Sequence, residues 1–108
     1  MQEIQLTQAN DGESCEVHLD DVVIVRLAEN PTTGYQWAIN TLDDKVLALQ
    51  GAEFLPPGDP QFGEGGIRVF TFKAKTTGRA HIQLKYWQEW EGNGSIDTLF
   101  NVTAIVKE

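Results

Sequence analysis

Over most of its length this chain changes character at every second residue, and that period limits what it can fold into. Ala80, Ile82, Leu84 and Tyr86 alternate with His81, Gln83, Lys85 and Trp87. Thr98, Phe100, Val102, Ala104 and Val106 alternate with Leu99, Asn101, Thr103, Ile105 and Lys107. Phe70, Phe72 and Ala74 alternate with Val69, Thr71 and Lys73. A strand with one face on a core shows this pattern, because successive side chains leave the backbone on opposite sides. Glycine and proline punctuate the runs at Asn10-Asp11-Gly12, Pro31, Pro56-Pro57-Gly58, Gly63 to Gly66, Gly78 and Asn93-Gly94,. One stretch departs from the period. Leu42, Val46 and Leu49 recur at three to four residues, which predicts a helix of at most a turn or two,.

Seven to eight short strands in 108 residues predict a single all-β domain over 1–108, built as a Greek-key β-sandwich,. Trp37 is placed to fill the space between the sheets, as tryptophan does in immunoglobulin-like folds,. The disulfide that accompanies such a tryptophan cannot form, since Cys15 is the only cysteine,. An Ig-like sandwich without a disulfide is therefore expected, with Cys15 a small buried hydrophobe.

Composition narrows the function. The formal net charge is −8 with no long like-charged run, which argues against nucleic acid and anionic membranes as partners,. No uninterrupted apolar stretch approaches the ~20 residues of a membrane span. Met1-Gln2-Glu3-Ile4 lacks the basic-then-apolar plan of a signal peptide, so the compartment stays open between periplasmic or secreted and endo-lysosomal,. Asn93-Gly94-Ser95 and Asn101-Val102-Thr103 fit the glycosylation sequon, which matters only on a eukaryotic secretory route,. No catalytic residue, metal ligand or cofactor site stands out. His18 and His81 neighbour no nucleophile, and Asp20-Asp21 and Asp43-Asp44 read as turns,.

What remains is the connections. Asn30-Pro31-Thr32-Thr33-Gly34-Tyr35 is a stiff, uncharged turn between two core-like runs. Pro31 fixes its own φ and extends Asn30, Thr32 and Thr33 have few rotamers to lose, and Gly34 permits a positive φ. The connection from Pro56 to Gly66 is long for a hairpin and ends in Gly63-Glu64-Gly65-Gly66, which bares backbone to a close partner,. It lacks the Lys-Ser/Thr of a phosphate cradle. The third connection begins Lys85-Tyr86-Trp87, where alternation points Tyr86 inward and Trp87 outward as a candidate anchor,. In a Greek-key sandwich all three share one end. Two readings stay open at this point: a three-loop wedge, or an adhesion or carbohydrate-binding module using Trp87 and Trp90.

The series Asn30 to Tyr35, Gly63 to Gly66 and Lys85 to Trp87 resembles the three loop motifs of the chagasin-like inhibitors of cysteine peptidases. The first two match that family's Asn-Pro-Thr-Thr-Gly-aromatic and Gly-x-Gly-Gly patterns throughout. The third departs from its Arg-Pro-Trp, with Lys85 for Arg and Tyr86 for Pro, and keeps Trp87. The resemblance implies an Ig-like monomer that reversibly and tightly blocks papain-like, cathepsin L-type peptidases. It places Thr32 and Thr33 at the catalytic centre of the target. Gly65 and Gly66 would offer main-chain hydrogen bonds, and Trp87 an apolar anchor on the cleft wall.

Overall fold

The computed structural model describes residues 2–30, 33–56 and 66–108. Eight strands lie in them: β1 (Glu3–Thr7), β2 (Ser14–His18), β3 (Val22–Glu29), β4 (Gln36–Leu42), β5 (Leu47–Leu55), β6 (Gly66–Ala74), β7 (Gly78–Trp87) and β8 (Thr98–Lys107). They form two four-stranded sheets, in the order β1-β3-β6-β5 and β2-β8-β7-β4. This is the expected immunoglobulin-like sandwich. The chain enters through both sheets in turn, since β1 runs parallel to β3 and β2 parallel to β8. A single 3-10 turn, Gln8–Asn10, carries it from one sheet to the other. Thr7 and Asn10 cap that turn reciprocally, which satisfies donors that a crossing chain would otherwise leave open,.

The two-residue period becomes the core directly. Val23, Val25 and Leu27 of β3, Phe70 and Phe72 of β6, Ile82 and Leu84 of β7, and Phe100 and Val102 of β8 are all buried between the sheets. Trp37 joins them as expected. Each such side chain contributes about 1.5–3 kcal/mol by leaving water. Cys15 is half-buried, and burial pushes its thiol pKa above the ordinary value.

The helix expected over Leu42–Leu49 does not form. Leu42 ends β4 and Leu47 begins β5, with a single turn between them in which Val46 and Leu47 N–H donate to the Asp43 carbonyl at 3.1 and 3.2 Å. The three-to-four spacing arose because a strand end and a turn place Leu42 and Val46 against the core, while Leu49 follows by coincidence on β5. Leu47 is buried, whereas Leu49, also part of the apparent helical face, is exposed. Asp43 and Asp44 fall in this turn, and Asp20 and Asp21 in the one between β2 and β3, where Asp20 has a positive φ. Both acidic pairs are turns, as read. Among the described residues no helix is long and apolar enough to cross a membrane, and no cluster could hold a metal ion.

Candidate functional site

Strand register brings the three connections to one end. Glu29 pairs with Gly66, Leu55 with Ile67, Gln36 with Trp87, and Tyr86 with Thr98. The exits of β3, β5 and β7 therefore lie beside the entries of β4, β6 and β8. Side chains then knit these connections together.

In the first connection, Pro31 and Thr32 lie outside the described residues, and Asn30, Thr33, Gly34 and Tyr35 lie within them. The Thr33 hydroxyl donates to the Asn30 carbonyl at 2.9 Å and accepts from Tyr35 N–H at 3.2 Å. Asn30 N–H donates to the Tyr86 hydroxyl at 3.2 Å. Tyr86 in turn packs on Trp37 and Tyr35, with ring centroids 4.9 and 5.4 Å away. Inward-facing Tyr86 thus acts as a post that joins the core to the two ends of the first connection. Gly34 takes φ +78°, and a Cβ there would stand 2.4 Å from Cη2 of Trp90. Glycine is required twice at this position, for its backbone and for the indole lying on it.

In the second connection, Gly63, Glu64 and Gly65 lie outside the described residues. Gly66 is the first residue of β6 and is buried. A Cβ on it would meet the Phe54 ring at 2.4 Å and the Leu55 carbonyl oxygen at 2.5 Å. Glycine here lets β5 and β6 close tightly where the loop returns. Two residues on, Arg68 stacks over Phe54 at 5.2 Å from its centroid and forms a two-pronged ion pair with buried Glu29.

The third connection differs most from the sequence reading. Lys85, Tyr86 and Trp87 are the last residues of β7, not a loop. Trp87 does face the outer side of its sheet, yet that side is covered. Lys85 is buried, its ammonium sits 3.4 Å from the Trp87 ring centroid, and Nζ donates to Asn93 Oδ1 at 3.1 Å. Trp87 Nε1 is buried without a hydrogen-bond partner among the described residues. Lys85 is itself tied to the excursion Glu89–Ser95, two short 3-10 turns kinked at Gly92 with φ +74°. Ser95 staples its base by accepting from Gln88 N–H at 3.0 Å.

Trp90 is carried on this excursion, and 68% of it is exposed. It rests on Gly34. Gln88 Nε2 reaches the Thr33 carbonyl at 3.3 Å, and Gln36 Nε2 reaches Glu89 at 3.2 Å. Trp90, Gly34, Tyr35, Gln36, Phe54, Arg68 and Glu29 line a cleft of ≈ 240 Å³ shared by all three connections. Sequence reasoning cited Trp90 only for sugar stacking. Its signal was the Gly92-Asn93-Gly94 that follows it, which ends the strand period and lifts the indole clear of the sheet,.

Both histidines lie away from this end: His18 in the β2–β3 corner, and His81 bonded through Nε2 to Asn101 Oδ1 at 3.0 Å.

The fold and this edge define a class: an Ig-like sandwich with three of its connections leaving from one end, where the described flanks of those connections bond to one another. Comparison with known proteins says which. The family described as "Chagasin family peptidase inhibitor I42" matches residues 16–104, and the chain belongs to that family. Chagasin of Trypanosoma cruzi is 25% identical over 103 residues, covering 91% of this chain and 93% of that protein. Amoebiasin-2 of Entamoeba histolytica is 32% identical over 89 residues, covering 80% and 71%. The crystal structure of EhICP2, a cysteine protease inhibitor from Entamoeba histolytica, superposes with a TM-score of 0.89 at 23% identity, covering 99% of this chain and 97% of that one.

Proposed function

We propose that this protein is a reversible, tight-binding inhibitor of papain-like cysteine peptidases that occludes the target's cleft with its loop-bearing end. The observation that carries the reading is the mutual support of the first and third connections, with Trp90 seated on Gly34 and Gln88 bonded to the Thr33 carbonyl. A loop held this way enters a cleft with its shape already set. The ordering cost of binding is then small, and an interface of roughly 800 Å² per partner suffices for tight association.

The central wedge is Asn30–Tyr35, with Thr32 and Thr33 at its tip facing the catalytic Cys–His pair of the target. The Thr33 hydroxyl is engaged within the turn by Asn30 and Tyr35. That engagement keeps the backbone folded and denies the thiolate an extended peptide carbonyl in line for attack. Gly63 to Gly66 flank the wedge on one side, with Gly63, Glu64 and Gly65 offering main chain and Gly66 anchoring their return. On the other side Lys85, Tyr86 and Trp87 form the base, and the exposed indole of Trp90 is the apolar contact. Lys85 covers one face of Trp87, so the pair of tryptophans makes no open stacking platform for a sugar.

Titration of the purified protein into papain, a cathepsin L-type enzyme and trypsin tests this. Stoichiometric, reversible loss of activity is expected for the two cysteine peptidases alone. Equal inhibition of trypsin, or none of any enzyme at micromolar concentration, overturns it. Within the same assay, Thr32→Glu is expected to weaken inhibition by about tenfold or more with the circular dichroism spectrum unchanged, because a bulky charge at the tip costs over 1.4 kcal/mol in a dry cleft.

A further inference from the structure

We infer that Glu29 and Arg68 form a positioning pair that sets the first and second connections in fixed relation, so that affinity depends on the pair beyond its share in fold stability. The inference rests on the inhibitory reading above. Glu29 is the last residue of β3, directly before Asn30, and only 4% of it is exposed. Its Oε1 accepts from Trp37 N–H at 2.7 Å and from Arg68 Nε at 3.2 Å, and its Oε2 accepts from Arg68 Nη2 at 2.7 Å.

These partners sit at particular places. Trp37 is the second residue of β4, on the far side of the first connection. Arg68 is the third residue of β6, on the far side of the second, and its guanidinium stacks on Phe54 of β5, on the near side. One carboxylate and one guanidinium therefore touch both flanks of both loops. The strands involved belong to different sheets, β3, β5 and β6 to one and β4 to the other. The Glu29–Trp37 bond thus crosses the mouth of the sandwich, where no strand ladder runs. A planar guanidinium fork also specifies angle as well as distance, which an apolar contact at the same place would not.

A purely structural pair and a positioning pair respond differently when charge is replaced by neutral volume. Swapping a buried ion pair for well-packed hydrophobic residues is often neutral or stabilising. In Glu29→Gln/Arg68→Met the ion pair is gone but an amide oxygen still accepts from Trp37 N–H, and the melting temperature is therefore expected to stay near that of the wild type,. The inhibition constant against papain is expected to rise about thirtyfold, the hot-spot threshold, because the loops lose their common tie. Val106→Ala, in the core at the opposite end, serves as the control: a lower melting temperature with an unchanged inhibition constant when assayed well below it.

A double variant as stable as the wild type that inhibits equally well overturns the inference, as does a Val106→Ala variant that loses inhibition in step with stability. Should the double variant not fold, Arg68→Lys keeps the charge and loses the fork. A raised inhibition constant in that variant supports the pair, and an unchanged one overturns it. Amide hydrogen exchange at Thr33, Gly34 and Tyr35 reads the positioning without any peptidase. Faster exchange there in whichever variant folds is expected, and equal rates overturn the inference even if the wild type inhibits nothing, an outcome that would instead remove the proposed function.

Discussion

The two ends of this sandwich each bury a carboxylate, and the two are held in different ways. Asp21, in the corner between β2 and β3, is 4% exposed and accepts two backbone N–H groups, from Gln2 and His18, both at 2.9 Å. Backbone also closes that corner further, with Asp20 N–H donating to the Ala74 carbonyl and Ala74 N–H to the Asp21 carbonyl, each at 2.9 Å. Glu29, at the loop-bearing end, accepts one backbone N–H and an arginine fork. Around it the closure is made by side chains: Tyr86 on Trp37, Trp90 on Gly34, Gln88 on Thr33. Backbone closure is insensitive to side-chain identity, while side-chain closure lets the chain position long connections and change what they present. The loop-bearing end uses the second.

The comparison is broken most severely at Arg68. Arg68→Ala leaves the Glu29 carboxylate buried without its cation, which is expected to cost about 3–5 kcal/mol in chemical denaturation. A loss below about 1 kcal/mol would mean that Glu29 finds water there, and that the two corners differ less than their hydrogen bonds suggest.

Gly34→Ala tests the side-chain closure itself. A non-glycine residue at φ +78° costs about 1–3 kcal/mol, and the added Cβ would also displace the Trp90 ring,. Combining it with Trp90→Ala removes the collision and leaves the backbone cost alone. The two substitutions are therefore expected to be non-additive in both stability and inhibition, as for any pair of residues in contact. Strict additivity would mean that Trp90 does not rest on the loop in solution.

Much of this was legible in the sequence. Alternation gave the two faces of β6, β7 and β8 because each of those strands has a neighbour on both sides. The order of the connections placed three of them at one end, since Greek-key connectivity leaves no other arrangement. The exceptions have physical causes. A charged residue beside a turn reads as solvated, and nothing local to Glu29 announces an arginine 39 positions away. Trp87 sits on the outer side of its sheet, as alternation said. What lies over its ring is Lys85, held there by Asn93 of the next segment, a tertiary fact with no period. Leu42, Val46 and Leu49 imitate a helix because both β4 and β5 are edge strands with bulges, so their alternation is broken on either side of the turn,.

The two outer tryptophans sharpen the comparison at smaller cost. Trp90→Ala is expected to leave stability within about 0.5 kcal/mol and, on the proposed inhibitory reading, to weaken binding by about 2 kcal/mol, since most of its surface is exposed,. Trp87→Ala is expected to reverse that split, losing about 1–3 kcal/mol of stability because Lys85 packs on its ring and its Nε1 is buried,. Inhibition constants and denaturation midpoints measured on the same two variants decide the matter. A larger binding loss for Trp87 would return the anchor to the end of β7.

The smallest expected effect lies at the backbone-closed corner and is read by pH. The Asp21 carboxyl is held below its ordinary value of 3.8 by the His18 and then the Gln2 backbone N–H groups, against a weaker opposing effect of desolvation. A folded pKa below the unfolded one means that the unfolded chain binds more protons in that range. Asp21 therefore stabilises the fold above about pH 4, and its contribution is lost as pH falls through the folded pKa. Asp21→Asn keeps one acceptor and cannot titrate. At neutral pH it is expected to melt below the wild type, and the gap is expected to close steadily below pH 4. Thermal melts at intervals between pH 7 and pH 2 check this. A gap that stayed constant to the lowest pH would show that the two N–H bonds act through geometry alone, with no charge in the corner to lose.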